Sequence, residues 1–117
     1  MLLTVTLNAA VDRTYRVEHF GIDRVHRPDR ARVCAGGKGI NVARVYRALG
    51  GEAVCTGFLG GQTGRQIGRA LQDEGIPARM TRTAGESRQC IAVIDPWSGT
   101  QTEINEARGL TFAAAAR

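Results

Sequence analysis

Short apolar or alternating segments along the chain predict β-strands. Residues 2–7 form a continuous apolar and β-branched run, which is typical of a buried strand. Residues 14–20 alternate between two faces, which predicts a half-exposed strand. Shorter runs of these kinds predict four more strands, over residues 30–34, 53–59, 88–95 and 99–105. Pro96 and Gly99 suit the turn that joins the last two strands.

Two longer segments have the period of a helix. The first begins at Ile40 and ends before Gly50, and its repeating apolar positions are Val42, Val45, Tyr46 and Leu49. The second ends at Gly75, and its repeating positions are Ile67, Ala70, Leu71 and Glu74. Strands therefore precede, separate and follow two helices. This order is typical of the α/β class with an additional β element.

The length and composition are those of one globular domain. The chain has 117 residues, of which 43% are apolar and 23% are charged. No apolar run approaches the roughly 20 residues that cross a bilayer, and the start lacks the basic region of a secretory signal. We therefore expect a cytoplasmic protein without a membrane segment.

The cysteines do not fit a disulfide framework or a zinc site. Cys34, Cys55 and Cys90 are odd in number, and they have neither a CxxC spacing nor a nearby pair of histidines. We expect small buried or half-buried thiols and no metal site in this chain.

Positive charge comes almost entirely from arginine. The formal net charge is +5, and of the sixteen Lys and Arg residues only Lys38 is a lysine. Basic residues gather over 23–32, but Asp23 and Asp29 interrupt them and no aromatic residue is interleaved. A solvated loop is therefore favoured over a nucleic-acid interface.

The single lysine lies in a glycine-rich segment just before the first predicted helix. Gly36 and Gly37 precede Lys38, and Gly39 follows it. Glycine lets the backbone approach a ligand closely, and free N–H groups at a helix N-terminus attract anions. The segment fits either an anion or polyol site with one positive charge, or a tight strand-to-helix turn whose lysine points into solvent.

Two familiar nucleotide-binding loops do not fit this segment. A Walker A loop would need Gly in place of Arg32, and Ser or Thr in place of Gly39. A dinucleotide fingerprint that begins at Gly37 would need Gly in place of Val42. The segment is therefore neither a P-loop nor a Rossmann loop.

Two further charged residues lie close to predicted strand ends. Asp12 follows the first strand, and ligands of α/β sheets bind beyond the carboxyl ends of strands, where a carboxylate accepts hydrogen bonds from sugar hydroxyls. An Asx-turn or a helix cap is the alternative for Asp12. Arg88 begins a predicted strand, where its guanidinium either binds a phosphate through two donors or is an ordinary surface group.

Five segments together resemble the PfkB carbohydrate kinases. They are TVTLNAAVD (4–12), AGGKGINVARVYRALG (35–50), GFLGGQTG (57–64), GESRQCIAVID (85–95) and GTQTEINE (99–106). They occur in the order and spacing of that family, and the resemblance runs from residue 2 to about Glu106. Within the family the chain is most similar to the 1-phosphofructokinase branch, with the tagatose-6-phosphate kinases as near relatives.

The resemblance implies an ATP-dependent kinase of a sugar phosphate. Fructose 1-phosphate is the substrate it favours, with fructose 1,6-bisphosphate as product; tagatose 6-phosphate or another sugar is the alternative. The implied substrate-binding residues are Asp12, Gly36, Gly37, Lys38, Asn41 and Arg88. Asp12 matches the ligand of the sugar hydroxyls, and Lys38 and Arg88 match the groups that hold the phosphate already on the substrate. A small glycine-rich module unrelated to kinases remains the other class of function.

The family also implies a fold and a partner. It has a ribokinase-like fold, with a mostly parallel α/β/α core and a small β-sheet lid. Residues 1–117 would be the N-terminal portion of that domain. The core would include 1–12 and 35–82, the lid 14–34 and 88–106, and 107–117 would be a tail. Lids of this kind often pair between subunits, so a homodimer is expected, and a dimerising lid without catalysis is an alternative.

The chain also departs from the family pattern. Ala9 stands where the family has Pro, and Cys90 stands where it has Asn. Such kinases are about three times as long. The Gly-Ala-Gly-Asp segment with the general base is absent here, as is the Asn-x-x-Glu that orders magnesium, and phosphoryl transfer needs base, metal and positioning together. We therefore expect the catalytic residues and the ATP and Mg²⁺ sites to lie outside this chain, and the chain alone to have no kinase activity.

Overall fold

The computed structural model describes residues 1–107 as seven strands and two helices. They are β1 (Leu2–Thr6), β2 (Ala10–Arg16), β3 (Arg30–Gly36), α1 (Lys38–Ala48), β4 (Ala53–Gly60), α2 (Gly61–Asp73), β5 (Ala78–Thr83), β6 (Arg88–Asp95) and β7 (Thr100–Asn105). The predicted α/β class with an additional β element is confirmed. Of the tail predicted over 107–117, all but residue 107 lies outside the described residues.

The strands form two separate sheets. The parallel sheet has the order β1-β4-β5, with Leu2 opposite Ala53 and Cys55 opposite Ala78. The mixed sheet has the order β3-β2-β6-β7; its central pair β2-β6 is parallel and its two outer pairs are antiparallel. The carboxyl ends of β2 and β6 therefore lie at the same end of the mixed sheet.

The core lies between the helices and one face of the parallel sheet. Ile40 of α1 and Ile67 of α2 are fully buried and belong to one apolar cluster with Cys55 and Leu59 of β4. Helix α2 also contacts β2 and β3, whose buried residues Val11 and Ala35 join the same cluster. Helix α2 therefore packs against both sheets and fixes the mixed sheet next to the N-terminus of α1.

The first strand is buried on one face only, which corrects the prediction of a buried strand. Thr4 and Thr6 face the core, and the Thr4 hydroxyl donates to Cys55 Sγ at 3.3 Å. Leu3 and Val5 point to the opposite face and are 60% and 57% exposed. Both helices pack on the threonine face, so the apolar face of β1 has no helix over it among residues 1–107.

The first helix is confirmed, but the side chains of its apolar repeat point away from the core. Ile40 and Ala43 are its buried residues. The residues that define the predicted repeat are all exposed, and they are Val42, Val45, Tyr46 and Leu49. Periodicity therefore identified the helix but not the face that packs on the sheet.

Strand β2 lies earlier in the chain than the predicted strand over 14–20. It begins at Ala10 because Ala10 and Val11 are buried, and it pairs with both β3 and β6 from that residue onward. Beyond Val17 the carboxylate of Asp95 accepts the backbone N–H groups of His19 and Phe20 at 3.1 and 3.0 Å. His19 also has a positive φ of 58°, which does not suit a continued strand, and β2 ends at Arg16.

Strand β5 was not predicted. Its sequence, ARMTRT, has one partly buried apolar residue, Met80, which packs against the core cluster. Parallel pairing with β4 fixes this edge strand, so tertiary contacts override a weak local pattern.

Candidate functional site

A cavity of about 500 Å³ lies between the mixed sheet and the N-terminus of α1. Its lining residues are Asp12, Arg13, Thr14, Gly37, Lys38, Asn41, Arg88, Cys90, Ile91, Ala92, Gln101, Glu103 and Asn105. Five of the six substrate-binding residues predicted from the sequence are therefore in one lining. The sixth, Gly36, does not line the cavity; it is buried on the neighbouring strand, next to the Asp12 carboxylate.

Asp12 lies within β2 and not in a loop after the first strand, which corrects its predicted placement. It is paired with Cys34 on one side and with Cys90 on the other, and directly paired residues share one face of a sheet. Burial raises the pKa of Asp12, although the positive charges of Arg88 and Arg44 oppose this effect. A carboxylate therefore lies in the floor of the cavity with two cationic groups near it.

Gly36 leaves the space that the Asp12 carboxylate occupies. It is the last residue of β3, and a Cβ atom at this position would overlap both carboxylate oxygens of Asp12. Any side chain here would force the carboxylate to move. The glycine is therefore a packing requirement of Asp12.

Gly37 forms the N-cap of α1 with a φ of 125°, a conformation that favours glycine. Its carbonyl accepts the N–H of Asn41 at 2.9 Å. No side chain of residues 1–107 caps this helix, and its first turn has no acidic residue. Lys38, the first residue of α1, is exposed and lines the cavity. The helix start therefore presents free N–H groups and an ammonium group.

The second helix start differs, because an acidic side chain of the chain itself lies there. A carboxylate oxygen of Glu86 accepts the N–H of Thr63 at 2.6 Å. Hydrogen bonds from Thr63 lower the pKa of Glu86. Ser87 Oγ accepts the N–H of Gly60 at 3.0 Å. The positive end of α2 is thus already neutralised, whereas that of α1 faces the cavity.

Arg88 is the first residue of β6 and is half-buried at the cavity wall. Its Nε donates to the Asn8 carbonyl at 3.4 Å, and its Nη1 donates to the Glu106 carbonyl at 3.5 Å. Both bonds are long, and among residues 1–107 no carboxylate forms an ion pair with Arg88. Its charge is therefore not neutralised by a salt bridge.

A buried hydroxyl lies beneath the glycine segment. Thr6 Oγ1 is inaccessible to solvent and has no hydrogen-bond partner within the part of the chain that the structure describes. A Cβ at Gly39 would overlap this oxygen, and one at Gly37 would meet the Thr6 methyl group. Thr6 also lines a smaller cavity of about 270 Å³ with Lys38 and Arg88. The polar surface around Lys38 therefore extends toward the carboxyl end of β1.

Residues 3–117 match the pfkB family of carbohydrate kinases. The chain belongs to this family. Its similarity to tagatose-6-phosphate kinase of Staphylococcus epidermidis is 41% identity over 106 residues, which covers 91% of this chain and 34% of that protein. The family predicted from the sequence is thus confirmed.

Two solved structures share the fold of this chain over part of their length. A possible 1-phosphofructokinase of Thermotoga maritima has a TM-score of 0.85 and 37% identity, over 94% of this chain and 36% of that one. Phosphofructokinase-2 of Escherichia coli, in complex with fructose-6-phosphate, has a TM-score of 0.86 and 29% identity, over 97% and 38%. The chain thus has part of the predicted ribokinase-like α/β fold and spans 34% to 38% of the length of these relatives.

The sequence analysis missed a row of polar residues from β7. Gln101, Glu103 and Asn105 alternate along this strand and all line the cavity. Asn105 is paired with Cys90, which is itself paired with Asp12, so β7 extends the same face of the sheet. Every residue of β7 except Ile104 is polar, so polarity in the sequence does not distinguish its two faces. The period of two along a strand identifies these three residues once the pairing of β7 with β6 is known.

Arg44 was missed as well, although it lies next to the site. It donates to the Asn41 side chain and to the Ala35 carbonyl, and it forms an ion pair with Glu74. Nothing in the local sequence distinguishes it from the other arginines.

Within residues 1–107 no three His, Cys, Asp or Glu side chains are grouped in a way that would hold a metal ion. Neither helix of this part of the chain combines the length and the apolar character of a membrane span.

Proposed function

We propose that this chain is the sugar-phosphate-binding part of an ATP-dependent kinase that converts fructose 1-phosphate to fructose 1,6-bisphosphate. The observation that carries the proposal is the meeting of Asp12, Lys38, Asn41 and Arg88 around one cavity at an uncapped helix start. Membership of the pfkB family supports the reaction class.

The phosphate already on the sugar is the anion proposed for the cationic side of the cavity. Lys38 supplies a compact charge on a flexible stem, which can follow a phosphate against the backbone N–H groups of α1. Arg88 supplies planar two-point recognition and is free of an ion pair among the described residues. Together they would anchor the substrate at the end away from the reacting hydroxyl.

The sugar ring is proposed to lie against the floor formed by β2 and β6. Asp12 would accept hydrogen bonds from hydroxyl groups, Gly36 would leave room for its carboxylate, and Gly37 would let the ring approach the backbone. These residues position the substrate and do not transfer the phosphoryl group. Fixing both ends of the sugar raises the rate by orientation.

In the proposed reaction a primary hydroxyl of the sugar attacks the γ-phosphorus of ATP, ADP leaves, and the hydroxyl proton passes to a general base. Mg²⁺ would neutralise the developing charge on the phosphates. We propose that ATP, Mg²⁺ and the base are held by residues other than 1–107. The absence of kinase activity from the 117-residue chain alone stays a prediction, as does its cytoplasmic location.

Tagatose 6-phosphate is the second candidate substrate. It is supported by the 41% identity to a protein named tagatose-6-phosphate kinase. Lys38 and Arg88 would bind either phosphate, so the choice depends on contacts with the ring. Glu103 and Gln101 at the far wall of the cavity are suited to such contacts.

A homodimer through the mixed sheet is part of the proposal. Among residues 1–107 no further strand pairs with either outer strand of this sheet, and all six residues of β7 are exposed. Exposed strand edges favour pairing with another sheet. A dimerising lid without catalysis is the alternative role for this sheet.

Calorimetry of the chain with fructose 1-phosphate, tagatose 6-phosphate and unphosphorylated fructose tests the proposal. We expect the two phosphorylated sugars to bind and fructose to bind at least tenfold more weakly, because about 1.4 kcal/mol is lost with the phosphate contacts. A preference for tagatose 6-phosphate would favour the second candidate. Fructose binding that equals fructose 1-phosphate binding would contradict both.

A further inference from the structure

Arg44 lies outside the cavity and forms hydrogen bonds with Asn41, which lines it, and with Ala35 and Glu74, which do not. It lies one turn after Asn41 in α1, and its Nη1 donates to Asn41 Oδ1 at 2.8 Å. Its Nη2 donates to the Ala35 carbonyl at 2.6 Å and to Glu74 at 2.8 Å, and its Nε donates to the other Glu74 oxygen at 3.2 Å. All three nitrogens of the guanidinium therefore donate hydrogen bonds.

The contact with Arg44 determines which end of the Asn41 side chain faces the cavity. A guanidinium has donors and no acceptor, so the Asn41 atom that faces it is the carbonyl oxygen. The Asn41 amino group is then the free end of a side chain that lines the cavity. Asn41 therefore presents a hydrogen-bond donor, which suits a phosphate or hydroxyl oxygen.

Two anchors fix the plane of the guanidinium. The Ala35 carbonyl belongs to a fully buried residue at the end of β3, and Glu74 is the C-cap of α2. The side chains of Arg44 and Glu74 are 30% and 27% exposed, so their ion pair is partly shielded from water. Although burial opposes the charge of Arg44, the hydrogen bonds that it donates to Glu74 raise its pKa. The cation is thus held in one orientation by groups outside the cavity.

We propose that Arg44 is a positioning residue that holds the Asn41 carboxamide with its amino group toward the bound sugar phosphate. The inference rests on the proposed function and deepens it by naming the residue that orients one of the ligand contacts. Lysine would not replace Arg44, because one ammonium cannot reach three acceptors in a plane.

Calorimetry with fructose 1-phosphate on Arg44→Lys and on the matched control Arg47→Lys, also in α1, tests this role. We expect Arg44→Lys to weaken binding about tenfold, as the loss of one charge-assisted hydrogen bond implies, and Arg47→Lys to change it less than about twofold. The Asn41 side-chain amide resonances should shift in Arg44→Lys and not in the control. A general loss of packing would instead shift resonances throughout the chain, far from Asn41 as well.

The double variant distinguishes a role of Arg44 in orienting Asn41 from a role that only connects α1 to α2 through the ion pair with Glu74. In an Asn41→Ala background we expect Arg44→Lys to cost no more than about twofold, because the group it orients is gone. A full tenfold loss there, or wild-type affinity in Arg44→Lys alone, would overturn the inference.

If Arg44→Lys does not fold, Glu74→Gln takes its place. An about threefold loss of affinity supports the role, and unchanged affinity overturns it. A wild-type chain that binds no sugar phosphate removes the proposed function, and this inference with it.

Discussion

The carboxylate of Asp12 lies where a side chain at Gly36 would have to be. The two residues are on neighbouring strands, and the Cβ of any larger residue at position 36 would overlap both Asp12 oxygens. The proposed sugar ligand on β2 and the glycine segment that precedes Lys38 are therefore one packed unit. The glycine is required by its neighbour in space and not by an unusual backbone angle at its own position.

Gly36→Ala should weaken sugar-phosphate binding and destabilise the chain. The methyl group forces Asp12 away from its position, and overpacking of this kind costs about 1–3 kcal/mol. Gly68→Ala is the matched control: a Cβ there would make only an ordinary contact with Leu59 at 3.7 Å, and Gly→Ala within a helix stabilises by about 0.5–1 kcal/mol. Chemical denaturation and calorimetry measure both effects. Wild-type affinity in Gly36→Ala would contradict the packing argument.

Cys90→Asn should strengthen binding of fructose 1-phosphate by about threefold to tenfold, because an amide adds hydrogen bonds that a thiol does not make. Burial raises the pKa of the Cys90 thiol, so it stays neutral beside Asp12 in the cavity. Cys34→Asn is the control, because Cys34 is also paired with Asp12 but does not line the cavity. An equal gain in affinity from both substitutions, or no gain from Cys90→Asn, would contradict a contact between residue 90 and the bound sugar phosphate.

Glu86 should make the stability of the chain depend on pH. Hydrogen bonds from Thr63 hold its folded pKa below its usual value of 4.5. Its stabilising effect is therefore complete above that value and is lost as the pH falls through the folded pKa. Melting temperatures between about pH 6 and pH 3 should fall less steeply for Glu86→Gln than for the wild type. The exposed Glu52→Gln serves as control, and parallel curves for all three proteins would disprove the effect.

The chain should associate with itself through apolar side chains that residues 1–107 leave exposed on β1 and after α1. Val5 of β1 and Leu49 after α1 are 57% and 82% exposed. We expect sedimentation velocity to show association that grows with concentration, and Val5→Thr or Leu49→Gln to reduce it. Ile22→Gln removes an even more exposed apolar side chain from a loop and should have no effect. A monomer at every concentration would contradict this prediction.

The sequence predicts which segments are helices and strands better than it predicts what those segments face. The helix at Ile40 is predicted by the spacing of its apolar residues and by the glycines that end it. Whether the face with Ile40 and Ala43 or the face with Val42 and Leu49 is buried depends on where the parallel sheet lies. Strand β5 has too few apolar residues to be found locally, because its pairing with β4 determines it.

The same limit applies to the site. Lys38 and Arg88 were found from glycine spacing and the family resemblance, since both lie beside a local motif. Arg44 was not found, because its role depends on Ala35 and Glu74, which come together only in the fold. Glu103 could have been found from strand alternation once β7 was assigned to the same sheet as Asp12.

The most direct test of the central claim is the ³¹P NMR signal of fructose 1-phosphate titrated with the chain. We predict that the signal shifts and broadens with the wild type, and that Lys38→Ala and Arg88→Ala each reduce the affinity about tenfold or more, as expected for charge-assisted contacts to the phosphate. Arg47→Ala should leave the titration unchanged. Binding that persists at wild-type strength in both Lys38→Ala and Arg88→Ala would show that the cavity does not hold the sugar by its phosphate.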